Sequence, residues 1–154
     1  MLSIVLTEGW TTRQVDYTNA FAQADLKEEV FVECPKLFGP KSGSDKVLHL
    51  HKSLYGLCQA PRTFFEKLKA GLEEQGWTQS QIDPCLFMKK GMMCVVFVDD
   101  TIFASSNVDD LEKEISSLGI LTTAQRHTFT LQNEGEVCDF LAINITKTGN
   151  NRFL

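Results

Sequence analysis

Residues 92–105 read M-M-C-V-V-F-V-D-D-T-I-F-A-S. The apolar run over residues 92–98 is too short for an ordinary helix and is rich in β-branched and aromatic residues, which predicts a buried strand. Two adjacent carboxylates, Asp99 and Asp100, interrupt it, and a second apolar run begins at once. The pattern is that of a β-hairpin with both aspartates at its tip. Asp suits turns, so a plain polar turn accounts for the pair. The alternative is that rigid strands present two like charges at one point, an arrangement that is costly without a cation.

Working outward, the 154 residues suffice for one domain with a sizeable core and hardly for two. A hydrophobic content of 43% with eleven Phe marks a globular chain. No run of about eighteen apolar residues occurs, so no membrane span is implied. The N-terminus lacks a basic region and a small-residue cleavage site, so it does not read as a secretory signal. The five cysteines, Cys34, Cys58, Cys85, Cys94 and Cys138, form no C-x-x-C pair. They read as reduced packing thiols of an intracellular protein. A net charge of −5 argues against a stand-alone nucleic-acid binder.

Upstream of the hairpin, R-Q-V-D closes a short strand at Asp16, and Y-T-N-A-F turns the chain. An Asp at that point either caps a turn or points into a cleft. Residues 28–33 predict a strand, 36–46 a Pro- and Gly-containing loop, and 47–50 a half-exposed strand. His49 and His51 share a face of that strand, but no third ligand lies near in sequence, so they read as solvated. A helix is predicted from Pro61 to Gly76, its core face made by Phe64, Phe65, Leu68 and Leu72. Asp83 and Pro84 turn the chain into a strand at residues 85–89. After the hairpin, Asn107 caps a second helix with Asp109 and Asp110 in its first turn and Leu111, Ile115 and Leu118 inward. A strand beginning near His127 and a final strand, D-F-L-A-I-N-I-T, complete an α+β order: a largely antiparallel sheet with two helices on one face.

The chain resembles the reverse transcriptase of copia-type LTR retrotransposons. Four blocks carry the likeness: Q-V-D-Y-T-N-A-F at 14–21, K-S-L-Y-G-L-C-Q-A-P-R at 52–62, D-P-C-L-F at 83–87 and F-V-D-D at 97–100, with D-F-L-A-I-N-I a weaker fifth. The resemblance covers about residues 10–146. It implies a single truncated polymerase palm-type domain over residues 1–154, with the fingers and thumb largely missing. It further implies RNA-directed DNA polymerase chemistry, in which two Mg²⁺ ions, for which Mn²⁺ can substitute, are held by Asp16, Asp99 and Asp100. The ions serve nucleotidyl transfer from a deoxynucleoside triphosphate to a primer 3′-hydroxyl.

By the same resemblance Phe21 lies under the incoming sugar and excludes a ribose 2′-hydroxyl, Gln59 lies beside the nucleotide and template, and Val98 approaches the primer terminus. The implied partners are dNTP, a primed RNA or DNA template and the rest of a Gag-Pol-type polyprotein, in a cytoplasmic virus-like particle. Two positions depart from the family pattern: Phe97 stands where Tyr is usual, and Ala142 replaces the usual Gly in the block that contacts the primer. The competing reading is a non-catalytic relic of a degraded element. A metal-dependent hydrolase is weaker, for want of a second acidic cluster or a nucleophile motif. Because the fingers and thumb are expected to be absent, this chain alone is expected to show little processive synthesis.

Overall fold

A computed structural model describes residues 1–35, 47–119, 127–148 and 152–153. The expected loop at 36–46 lies outside the described residues. The elements are α1 (Leu2–Glu8), β1 (Thr11–Tyr17), a 3₁₀ turn (Ala20–Gln23), β2 (Asp25–Glu33), β3 (Val47–Lys52), α2 (Ala60–Glu74), β4 (Thr78–Gln79), β5 (Leu86–Lys89), β6 (Met92–Phe97), β7 (Asp100–Ser105) and α3 (Val108–Leu118). Five short strands follow: β8 (Leu131–Gly135), β9 (Asp139–Phe140), β10 (Ile143–Asn144), β11 (Lys147–Thr148) and β12 (Arg152–Phe153).

Six strands form one antiparallel sheet in the order β4-β5-β6-β7-β1-β8. The β6–β7 hairpin is therefore central, as its apolar runs predict. Side chains alternate across the sheet. Val15 and Tyr17 of β1, Cys94 and Val96 of β6 and Phe103 of β7 enter one core with Phe64, Leu68 and Leu72 of α2 and Leu111, Ile115 and Leu118 of α3. The helices thus share one face of the sheet, and the fold is α+β and palm-like. Burying each of these large side chains contributes about 1.5–3 kcal/mol. Gly71 permits the close seat of α2: a Cβ there would stand 2.6 Å from the ring of Phe129.

The other face carries a smaller cluster of Ile102, Val137 and Ile145, joined by Met1, Leu2 and Phe140. This explains α1, where the sequence reading assigned no element. Its seven residues are too few to display a helical period, yet Val5 is buried and Gly9, at φ +65°, closes the last turn.

Two helix ends follow their residues. Pro61 sits in the first turn of α2, and the Asn107 side chain accepts from the Asp109 and Asp110 N–H groups at α3. Elsewhere the boundaries move. Phe129 precedes β8 and packs against Tyr17 and Phe64, so the strand expected near His127 starts at Leu131. The final segment is not one strand. It folds back after Phe140, which pairs with Ile143, and the two turn residues Leu141 and Ala142 have φ of +54° and +61°. Consecutive left-handed residues make a tight hairpin turn, which period-two patterning cannot signal when neither residue is Gly or Asn.

That turn gives the Ala142 departure a physical meaning. An L-residue in the left-handed region is strained, and Gly is not. Ala142→Gly is expected to stabilise the chain by about 1 kcal/mol, read as a higher urea midpoint at unchanged slope.

Candidate active site

β1 and β7 pair so that Asp16 stands directly opposite Asp100. Both share the face that carries Gln14 and Ile102, opposite the one covered by α2 and α3. The expectation that Asp99 and Asp100 together form the hairpin tip is corrected in detail. Phe97 pairs with Asp100, so the tip is Val98 and Asp99, and Asp100 is already the first residue of β7. A two-residue connection needs positive φ at its first central position, and Val98 supplies it at +56°. A β-branched residue there is strained by about 1–3 kcal/mol, and such strain gathers at functional turns. Val98 is half-buried and packs against the main core, which holds the tip in place. The tip is also tied to β1, because the Tyr17 N–H donates to the Asp99 carbonyl over 3.2 Å.

The three aspartates are thus brought to one end of the sheet. Burial and then the Asp99 charge raise the Asp16 carboxyl above its ordinary value. Asp100 is raised by burial, then by Asp99, Asp16 and Asp139. Among the described residues, no three His, Cys, Asp or Glu side chains stand close enough to form a complete ligand set. The carboxylates are gathered but not drawn onto a common point. Their chemistry, hard oxygen donors in mutual repulsion, fits a small divalent cation.

Two contributors escaped the sequence reading. Asp139 lies in β9, inside the weak fifth block, and nothing in that block's spacing distinguishes it. Tyr55 lies within S-L-Y-G-L, between β3 and α2. Its hydroxyl donates to Asp99 Oδ2 over a long 3.4 Å, and its ring lies 4.4 Å from that of Phe21. Burial raises the Tyr55 phenol, and the Asp99 charge, the hydrogen bond to it and Asp16 add to this, so it remains a donor at neutral pH. Position in the block was the available signal: Tyr55 precedes Gly56, whose φ of +98° turns the chain toward the site.

The expected nucleotide-side residues, Phe21 and Gln59, stand on different elements. Phe21 is 7% exposed and belongs to the main core, its ring also edge-on to Phe64. Gln59 stands at the start of α2 but makes no side-chain cap. It lines a cleft of about 310 Å³ with Lys27, Arg62 and Thr63, where Glu66 binds both basic side chains at 2.7 and 3.0 Å. None of the three aspartates lines that cleft. His49 and His51, read as solvated, are exposed on β3, with Phe31 stacked on His49 at 4.8 Å.

A family model described as "Reverse transcriptase (RNA-dependent DNA polymerase)" matches residues 1–153. The chain is 31% identical over 131 residues to the Retrovirus-related Pol polyprotein from transposon RE2 of Arabidopsis thaliana, covering 82% of this chain and 9% of that protein. It is 31% identical over 147 residues to the RE1 counterpart from the same plant, with 93% and 10% covered. The Transposon Ty1-DR4 Gag-Pol polyprotein of Saccharomyces cerevisiae is 32% identical over 124 residues, with 76% and 7% covered. The chain therefore spans about a tenth or less of the length of these curated relatives. No solved structure matches it.

The electrostatics carry a signed expectation. A carboxyl whose folded pKa is raised adds stability that is present below its unfolded pKa and is lost as pH rises through the folded one. Without added metal, stability should therefore fall as pH climbs above the ordinary Asp range. Removing one of two like charges opposed across strands, by Asp100→Asn, should raise neutral-pH stability by about 0.2–1 kcal/mol and flatten that fall. Urea denaturation at several pH values measures both.

Proposed function

The chain belongs to the reverse transcriptase (RNA-dependent DNA polymerase) family, and we propose that it carries the metal-binding and nucleotidyl-transfer centre of a copia-type polymerase. The observation that carries this reading is the register of Asp16 against Asp100, with Asp99 tied to the same strand end through the Tyr17 N–H. Three carboxylates kept together on stiff strands, at the expense of mutual repulsion, suit a site that stabilises itself by taking up cations.

In this reading Asp16 and Asp99, with Asp100 close by, would hold the ions. When bound, Mg²⁺ or Mn²⁺ supplies activation of the primer 3′-oxygen and neutralises charge on the leaving pyrophosphate. The protein contributes placement. The β6–β7 hairpin fixes Asp99 and Asp100, β1 fixes Asp16, and the strained Val98 turn directs the tip toward the primer end. Position matters greatly, since misplacement by about 1 Å can cost a hundredfold in rate. Phe21 and Gln59 flank the nucleotide, and a primed template lies across the end of the sheet that carries the aspartates. RNA-directed DNA synthesis within a Gag-Pol-type polyprotein is the corresponding whole-protein activity.

Titrating the chain with Mn²⁺ tests this centre. Backbone NMR signals of Asp16, Asp99 and Asp100 should broaden first, and Asp99→Asn should weaken the effect at least tenfold. Broadening that begins at His49 and His51 instead would overturn the assignment. Primer extension in Mg²⁺ that is lost in Asp99→Asn would support an active centre over a non-catalytic relic.

A further inference from the structure

The three aspartates are not held alike. Asp16 and Asp100 lie in paired strands, where the pleat sets the direction of each side chain. Asp99 lies in the two-residue connection, outside the ladder, and no pleat directs it. Its main chain is tied to β1 through the Tyr17 N–H, which leaves the carboxylate free to turn. Among the described residues, the one side chain that donates to that carboxylate is Tyr55, at 3.4 Å from Oδ2. Only burial and neighbouring carboxylates act on Asp16 and Asp100. We propose that Tyr55 is a positioning residue for metal binding, its hydroxyl setting the direction of the Asp99 carboxylate that the turn leaves undirected. This rests on the polymerase reading above and names a residue that tunes the affinity of its metal centre.

A phenol suits the task. An ionised carboxylate accepts at about four lone-pair sites, and one hydroxyl takes one of them, so Asp99 keeps most of its capacity for a cation. A Lys or Arg in the same place would compete with the ion by neutralising the charge. The ring is itself held in place. It lies 4.4 Å from the ring of Phe21, a core residue, and Gly56 turns the backbone beside it at φ +98°. Ligating carboxylates are commonly oriented by such outer partners, whose loss typically weakens metal binding by roughly 10–100-fold. The contact here is long for an O–H···O bond, which places the expected effect at the low end of that range. Because Tyr55 is 57% exposed, its replacement leaves the core intact.

The test is Mn²⁺ binding to the purified chain, followed by the EPR signal of the free ion. It compares wild type with Tyr55→Phe, Tyr55→Ala, Asp99→Asn and the double variant Tyr55→Phe/Asp99→Asn. Tyr55→Phe removes only the oxygen and should weaken binding roughly tenfold, with Tyr55→Ala no worse. Adding Tyr55→Phe to Asp99→Asn should cause no further loss, since the hydroxyl acts through that carboxylate. In the metal-free chain, Tyr55→Phe should move the ¹³C signal of the Asp99 carboxyl and leave those of Asp16 and Asp100 in place. Wild-type affinity in Tyr55→Phe, alongside a loss in Asp99→Asn, overturns the role of Tyr55 and leaves the metal centre standing. A loss confined to Tyr55→Ala overturns it by moving the effect to the ring, and a further loss in the double variant does so by showing action elsewhere. Failure of the wild-type chain to bind Mn²⁺ overturns both readings together.

Discussion

Two carboxylates of like charge face each other across β1 and β7, and the fold is arranged to keep them there. Cross-strand neighbours of this kind repel, so the pairing must be enforced from outside. It is enforced by the apolar alternation on either side. Val15 and Tyr17 of β1 and Phe103 of β7 bury on the helix face, and a slip of β1 by one residue would expose Val15 and Tyr17 while driving Asp16 into the core. The hydrophobic register thus fixes the electrostatic one.

The hairpin tip adds a second constraint. A two-residue connection with Val in the left-handed region is strained, and it persists because Val98 packs inward and the Asp99 carbonyl accepts from Tyr17. Strain, repulsion and a wholly packed underside occur within a few residues. In a family that performs phosphoryl transfer this grouping has a rationale: the charge is displayed by elements that do not have to move to display it.

Much of this was legible in the amino-acid order. The central hairpin, the amphipathic faces of α2 and α3 and the Asn107 cap follow from local patterning, and the four spaced blocks pointed to the family. What escaped reading has physical causes. α1 is too short for a period to show. The fold-back at Leu141 and Ala142 uses residues that do not advertise positive φ. Tyr55 is invisible as a site residue because its importance comes from Phe21 and Asp99, which are 34 and 44 positions away in the chain and meet it only after folding. Whether a Phe lies against solvent or beneath another ring is likewise a property of the packed molecule. Phe21 and Tyr55 differ little as sequence and greatly in exposure.

The ribbon of β2 and β3 stands outside the main sheet as a separate two-stranded unit. Phe31, Val47 and Leu48 are exposed along it, whereas Ala24 and Ser53 at its base are fully buried and joined by a backbone hydrogen bond. Mechanically, this is an arm clamped at one end. A two-stranded ribbon has little stability of its own and opens more readily than a sheet sealed by helices. Displacement of such an arm is largest at its free end and vanishes at the clamp. Tyr55 follows the clamp by two residues, so the ring against Phe21 sits at the root of this arm rather than along it.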